Sequence, residues 1–265
     1  MSIGEYELLE RIGGGGSREL WRARAGRREL VIVERGASAG LDPARFEREV
    51  RAASSIKHAA IPRILAHGLD GGRPWVAHEL ASGMTLRDLF GARRLSPEAA
   101  LVLVHPIAEA LAALHAAGLV HGGVCMENVI VSPVGDVRLV GIELAARGER
   151  ARVPPERAEG RDVDASADVW SLGDLLRELV AGRSEGALSS VDRRVAPELD
   201  WLVGVCLARE PWKRPRDGRA LLDRLGPLVP RRRCWRRRRA LSRAGPTGSP
   251  RRSGRASCSR RASVP

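Results

Sequence analysis

Residues His121–Val131 read HGGVCMENVIV, and this stretch decides how the rest of the chain is interpreted. It ends in an apolar run, Val129–Val131, that predicts a short strand, and a second such run follows at Val137–Val140. Ahead of it, Ser96–Glu98 (SPE) is typical of a helix start, with serine as the N-cap and proline in the first turn. The stretch therefore follows a predicted helix and ends in the first of two predicted strands.

The chain places strands first and helices later. Strands are predicted over Tyr6–Val33, interrupted by a run of four glycines, and again over Pro74–Leu80. Apolar residues at three- and four-residue spacing predict helices in several segments. These segments are Pro43–Ser55, Ser96–Gly118, Ala167–Val180, Leu199–Ala208 and Gly218–Leu225. Strands followed by helices favour an α+β fold with two lobes.

Length and composition limit the class of protein. A chain of 265 residues can form two lobes around a sizeable core. We find no apolar run near the roughly 20 residues needed to cross a bilayer and no secretory signal, so we expect a cytoplasmic protein without a transmembrane segment. The four cysteines form no CxxC pair and no metal-ligand spacing, which predicts reduced thiols.

The positive charge is confined to the end of the chain. Thirteen of the 45 basic residues lie from Pro230 onward, where no acidic residue occurs, so 32 basic and 32 acidic residues remain for the first 229. We predict that residues 229–265 form a disordered, Arg-rich tail. Such a tail can attract nucleic acid or an anionic membrane surface without sequence specificity. The alternative is an extension without a function.

Taken in order, the motifs of the chain resemble those of the bacterial Ser/Thr protein kinase family. Ile12–Ala23 resembles the glycine loop that covers the phosphates, and His78–Ala81 resembles the hinge that meets adenine. His121–Val131 resembles the catalytic loop, and Gly141–Glu143 resembles the metal-binding triplet. The resemblance implies a protein-kinase-like bilobal fold, with a small β-rich N-lobe over residues 5–81 and a larger helical C-lobe over residues 82–228.

The charged groups that this family uses for phosphoryl transfer are absent from the matching positions. Gly123 stands at the position of the catalytic Asp, Cys125 at that of the loop Lys, and Gly141 at that of the metal-binding Asp. The position of the strand Lys falls on Val33 or Glu34. We therefore assign no catalytic residue and no metal ligand, and we expect little Mg²⁺ binding.

Affinity for ATP can survive without turnover, because the hinge binds adenine through its backbone. The resemblance implies the following candidate nucleotide-binding residues: Gly13, Gly15, Arg18, the backbone at Glu79 and Ala81, and Asn128.

Three hypotheses follow for the function. The first is a catalytically inactive pseudokinase that acts as a regulatory or binding module for a protein partner. The second is a divergent but active Ser/Thr kinase in which Arg18 replaces the strand Lys. The third is a nucleotide sensor that binds ATP without metal.

Other matches are architectural. We expect Glu156 and Arg214 to form a buried ion pair, and Asp168 to bind the backbone of the catalytic loop. Glu49 matches the helix Glu that normally pairs with the strand Lys, and here it lacks that partner. Only ten residues, Leu144–Val153, connect the metal triplet to Pro154, and none is Ser, Thr or Tyr, so phosphorylation cannot switch this segment.

Overall fold

The computed structural model describes residues 2–13, 18–26, 28–35, 42–142, 153–182 and 186–230, with the backbone alone at 18 and 28–35. Met1–Val229 forms one compact unit. The predicted disorder of the tail concerns residues 229–265, which lie almost entirely outside the described part of the chain.

In the first lobe, called the sheet lobe below, the described residues form six strands and one helix. These are β1 (Ser2–Ile3), β2 (Tyr6–Gly13), β3 (Arg18–Ala25), β4 (Arg28–Arg35), α1 (Pro43–Ser54), β5 (Ile64–Asp70) and β6 (Arg73–Glu79). The strands form one antiparallel sheet in the order β1-β2-β3-β4-β6-β5. The side chain of Asp42 caps α1 by accepting a hydrogen bond from the backbone N–H of Ala44 at 2.9 Å.

An aromatic pair organises the interior of the sheet lobe. The rings of Tyr6 and Trp75 pack edge to face with their centroids 5.8 Å apart. A Cβ atom at Gly68 would lie only 3.1 Å from the indole of Trp75, so glycine lets the backbone approach the ring closely. Ile3, Leu8, Ala23 and Ala77 complete this cluster, which is separate from the main core.

In the second lobe, called the helical lobe, the part of the chain that the structure describes forms six helices and a small antiparallel sheet. Its helices are α2 (Leu86–Phe90), α3 (Pro97–Ala116), α4 (Pro155–Ala158), α5 (Ala165–Ala181), α6 (Pro197–Cys206) and α7 (Gly218–Leu225). Its sheet has the order β7-β8-β9, formed by Met84–Thr85, Val129–Val131 and Val137–Leu139. Short 3-10 turns occur at Met126–Asn128, Leu188–Ser190, Pro211–Lys213 and Gly226–Leu228.

Helix α3 is the central element of the helical lobe. It contacts α5, α7 and β9, and nine of its side chains are buried, among them Val104, Leu111 and Leu114. By length and apolar composition it could cross a membrane, although Glu98, His105 and Glu109 interrupt its apolar run. Its contacts on three sides account for its apolar character in the folded lobe.

The predicted order of strands and helices is confirmed. The helix predicted to start at Ser96 begins there, because the Ser96 hydroxyl accepts a hydrogen bond from the N–H of Ala99 at 3.3 Å. The helix predicted at Leu199–Ala208 starts two residues earlier, at Pro197. Helix α2 and strand β5 were missed, since neither carries a distinct apolar period.

Helices α5 and α6 approach each other closely at Gly173. A Cβ atom at this position would lie 2.6 Å from the Cβ of Cys206, which is shorter than any normal carbon contact. Burial raises the pKa of the Cys206 thiol to about 12, so this cysteine is a packing residue and is not reactive.

We expect Gly173→Ala to lower the free energy of unfolding by about 1–3 kcal/mol, because the added methyl group overpacks the α5–α6 contact. Gly204→Ala is the matched control: Gly204 is also helical, is exposed and has nothing within 4 Å of its Cβ position. It should raise stability by up to about 1 kcal/mol through helix propensity alone. Urea denaturation of both variants checks this, and equal effects would contradict the proposed packing constraint.

Candidate functional site

The HGG loop, defined as residues 121–128, is anchored by one buried carboxylate. Asp168 of α5 is fully buried and accepts hydrogen bonds from the backbone N–H of His121 at 2.7 Å and of Gly122 at 2.8 Å. The predicted contact between Asp168 and this loop is therefore confirmed.

His115 of α3 gives Asp168 a third partner. Its Nδ1 accepts the backbone N–H of Gly218 at 2.8 Å, so the ring proton lies on Nε2, which donates to Asp168 at 3.0 Å. Through this ring, the carboxylate also connects α3 and the start of α7 to the loop.

Gly123 contributes only backbone to the loop. Its N–H donates to Nδ1 of His121 at 3.0 Å, and its carbonyl accepts from Nδ2 of Asn128 at 2.8 Å. The backbone carbonyl of Asn128 in turn accepts the N–H of Val140 at 2.8 Å. Asn128 thus joins the loop to the end of β9, while Gly123 offers no side chain that could accept a proton.

Gly141 follows β9 and faces the side chain of Asn128. Its φ angle is +79°, a conformation that favours glycine, and a Cβ atom there would lie 2.9 Å from the Asn128 amide nitrogen. Within the described residues, no group of three His, Cys, Asp or Glu side chains is arranged to hold a metal ion. Glu143, the acidic residue of the predicted metal triplet, lies outside those residues.

Glu127 is the acidic side chain of the HGG loop, and it is held by arginine. Nε of Arg87 in α2 donates to Glu127 at 2.8 Å, and Nη1 of the same arginine donates to Glu178 of α5 at 2.9 Å. Burial is the largest influence and raises the pKa of Glu127, but hydrogen bonds from Arg87, the local backbone and Cys125, with the charge of Arg87, together hold the pKa below its ordinary value. Glu127 is therefore an ionised member of a three-residue network.

Two arginines, Arg214 and Arg157, hold helix α4 in place. Arg214 forms a fork-like pair with Glu156, with distances of 2.7 and 2.8 Å, and both side chains are almost completely buried. Arg214 also donates to the carbonyls of Ala208 and Arg209. The predicted Glu156–Arg214 ion pair is confirmed. Next to it, Arg157 donates to the carbonyl of Gly122 at 2.7 Å.

Glu79, the last residue of β6, connects the two lobes. Its carboxylate lies 3.4 Å from the guanidinium of Arg63 and 3.4 Å from that of Arg138 in β9. Burial raises the pKa of the Glu79 carboxyl group. The two arginines lower that pKa by more, so it lies below its ordinary value. Its backbone N–H is bound to the carbonyl of Arg63 at 2.9 Å.

The predicted nucleotide-binding residues lie on different elements. Gly13 ends β2 and Arg18 begins β3, while Gly15 lies outside the described residues. Arg18 pairs with Arg35, whereas Glu79 pairs with Leu30 at the other end of β4, about 17 Å away at about 3.4 Å per residue. Ala81 follows β6 by two residues.

Glu49 of α1 binds within its own helix. Its carboxylate accepts a hydrogen bond from Nε of Arg45 at 2.7 Å, one helical turn earlier, and this contact raises the pKa of Arg45. We predicted that Glu49 has no partner on β4. The side chains of β4 lie outside the described part of the structure, so this stays a prediction.

A family model for the protein kinase domain matches residues 6–217. The chain belongs to the protein kinase domain family. The serine/threonine-protein kinase PknL of Mycobacterium tuberculosis is 30% identical over 253 residues, which cover 82% of this chain and 63% of PknL. A probable serine/threonine-protein kinase of Streptomyces coelicolor, SCO3848, is 30% identical over 78% of this chain and 37% of its own length. The chain thus spans less than two thirds of these curated relatives.

Solved structures agree on the fold. The PknI kinase domain of Mycobacterium tuberculosis superposes with a TM-score of 0.70 at 24% identity, covering 85% of this chain and 96% of that domain. The predicted α+β, protein-kinase-like fold with a small sheet lobe and a larger helical lobe is therefore confirmed. Membership of a family with bacterial Ser/Thr kinase relatives is confirmed as well.

Three arginine contacts were not identified from the sequence, which are Arg87 with Glu127, Arg138 with Glu79, and Arg157 with the backbone of the HGG loop. Arg87 lies 40 residues before Glu127, and Arg138 lies 59 residues after Glu79, so no local pattern pairs them. Arg157 follows directly after the predicted Glu156, but its acceptor is a backbone carbonyl, which leaves no trace in a sequence.

We expect Glu156→Ala to lower the free energy of unfolding by about 3–5 kcal/mol, because it leaves the Arg214 guanidinium buried without its counter-charge. Glu159→Ala is the matched control, since Glu159 pairs with Arg209 and Arg161 at the exposed surface. It should leave stability nearly unchanged. Guanidinium denaturation of both variants measures the difference, and equal losses would show that burial of the pair is unimportant.

The lowered pKa of Glu127 predicts a dependence of stability on pH. Its ionised form stabilises the folded state above the ordinary carboxyl pKa of about 4.3, and this contribution is lost as the pH falls through the lower folded value. Below about pH 5, the free energy of unfolding should therefore fall more steeply in the wild type than in Glu127→Gln. Urea midpoints between about pH 3 and 7 test this, and parallel curves would contradict it.

Proposed function

We propose that this protein kinase family member is a pseudokinase, which acts as a regulatory or binding module for a protein partner and retains ATP affinity without turnover. The observation that carries this proposal is Gly123. It occupies the position where the family's catalytic loop holds the Asp that accepts the proton of the attacking hydroxyl, and its own polar atoms are bound to His121 and Asn128.

Electrostatics support the same proposal. Phosphoryl transfer depends on positioned charges. Loss of a single positioned donor in an acyl-transfer enzyme lowers kcat by about 10²–10³-fold, which shows how much one such group contributes. Here the positions of the catalytic Asp, the loop Lys and the metal-binding Asp are occupied by Gly123, Cys125 and Gly141. The nearby carboxylates of Glu127 and Asp168 are bound by Arg87 and by three hydrogen-bond donors, respectively, so neither is placed to substitute.

An active, divergent Ser/Thr kinase is the main alternative, and the names of the relatives favour it. In that case Arg18, at the start of β3, would replace the missing strand Lys. A nucleotide sensor that binds ATP without metal is a further alternative. In each case the proposed nucleotide contacts are Gly13, Gly15, Arg18, the backbone at Glu79 and Ala81, and Asn128.

The proposal includes two further elements that concern location and partners. The kinase-like unit would act in the cytoplasm on a protein partner. The Arg-rich tail would add salt-sensitive attraction to nucleic acid or to an anionic membrane surface, because its thirteen arginines carry no acidic counterpart.

Thermal unfolding with ATP tests the proposal. At about 100 times the dissociation constant, ATP should raise Tm by about 5–10 °C, and equally with Mg²⁺ and with EDTA. No labelled phosphate should be transferred from ATP to a generic basic protein, because the proton acceptor is missing.

Transfer of label would overturn the pseudokinase proposal. Arg18→Ala would then identify the substitute cation, with Arg22→Ala as the matched control, since Arg22 lies on the same strand and pairs with Glu10 at the surface. If ATP leaves Tm unchanged, the protein does not bind ATP, and the proposed function is reduced to binding a protein partner.

A further inference from the structure

We infer that two copies of this chain associate through the outer face of α6, with the two α6 helices antiparallel. Trp201 of each copy fits over Gly204 of the other. Glu198 of each copy meets Arg224 of the other. The inference goes beyond the proposed function, because it concerns a contact between copies of the chain and requires neither ATP binding nor the absence of turnover.

The outer face of α6 carries an exposed tryptophan next to an open position. Trp201 is 59% exposed, although most of the area of a tryptophan is usually buried. Gly204 lies three residues later and therefore on the same face of the helix; it is exposed, and nothing lies within 4 Å of its Cβ position. Tryptophan is enriched in protein–protein interfaces, where it fills pockets on the partner. This face offers both the side chain and the space that could receive it.

The opposite side of α6 is fixed in the helical lobe. Leu199, Leu202 and Cys206 are buried in the main core, and Asp200 accepts a hydrogen bond from the backbone N–H of Leu188 at 2.7 Å. The helix is thus held from within the lobe, so its outer face is a pre-organised surface whose association requires little ordering of the backbone.

Two charges lie on either side of Trp201 along α6. Glu198 is exposed and lies three residues before it, while the guanidinium of Arg224 in α7 lies over the indole, 5.7 Å from the ring centroid. Burial dominates the pKa of Cys206 and raises it, but the charge of Arg224 lowers it, which places this guanidinium toward the C-terminal end of α6. Among the described residues, neither Glu198 nor Arg224 has an oppositely charged side chain within 4.0 Å.

These features are self-complementary in an antiparallel pair. A two-fold axis that passes between positions 201 and 204 brings each indole onto the open glycine of the second copy. The same axis places the N-terminal end of one α6 beside the C-terminal end of the other, so Glu198 reaches Arg224 across the contact. The helix dipoles also attract each other in this orientation. A partner of one charge sign would leave one of the two charges unpaired, which favours a second copy of the chain.

Sedimentation velocity of the full chain at about 0.15 M salt tests the inference. We expect a reversible dimer with a dissociation constant of about 1–100 µM, as for a small interface. Trp201→Ala should raise this constant by at least about 30-fold, because a tryptophan at the centre of a contact is a typical hot spot. Trp212→Ala is the matched control, since Trp212 is 77% exposed but lies on the turn Pro211–Lys213, and it should leave the constant unchanged.

A wild type that stays monomeric up to about 300 µM would overturn the inference and leave the face to a different protein. Equal effects of Trp201→Ala and Trp212→Ala would also overturn it. Gly204→Gln should weaken the dimer by filling the gap, although glutamine favours a helix more than glycine does and therefore does not destabilise α6. A dimer of unchanged affinity in Gly204→Gln contradicts the proposed contact.

Charge reversal separates a second copy from any other occupant. Glu198→Arg and Arg224→Glu should each weaken self-association by about 10-fold or more, because each variant places like charges across the contact. An equimolar mixture of the two variants should associate again, since every contact between them then joins opposite charges. A mixture that stays monomeric would sink the assignment. No nucleotide is present, so such a result would leave the proposed function as it stands.

Discussion

The buried carboxylate of Asp168 is the interaction on which the helical lobe depends. It accepts two backbone N–H groups of the HGG loop and the imidazole of His115, and that imidazole accepts the first N–H of α7. A charge placed inside a protein is stable only when donors surround it, and the donors here come from the loop and from α3. One side chain of α5 thereby sets the position of α3, α7 and the loop relative to one another.

The residues that hold the loop in place are different from those at the positions where the family carries its catalytic groups. The residues that hold the loop, which are Asp168, His115, Arg87 and the Glu156–Arg214 pair, form complete networks of charge and hydrogen bonds. The positions that would act on a substrate carry Gly123, Cys125 and Gly141. The loop is held by these networks although Gly122 and Gly123 contribute only backbone atoms to it.

The sequence predicted the order of strands and helices, the Ser96 cap, the contact of Asp168 with the loop and the Glu156–Arg214 pair. Each of these depends on local patterns or on a resemblance that covers nearly the whole chain. It could not predict that Arg87 neutralises Glu127, that Arg138 reaches Glu79, or that Gly141 faces Asn128, because such contacts arise only when distant segments fold together. The contacts of α3 with α5, α7 and β9, which match its apolar composition, also depend on the tertiary fold.

The separate cluster around Tyr6 and Trp75 has a consequence for motions of the native state. Among the side chains that the structure describes, its buried members number six, two of them alanines, whereas the main core draws on residues from both lobes, among them Phe46 and Val50 of α1. Partial opening of a folded protein begins where the least apolar surface is sequestered. Among the described side chains, we therefore expect strands β1–β3 to open before α1, whose Phe46 and Val50 belong to the larger core.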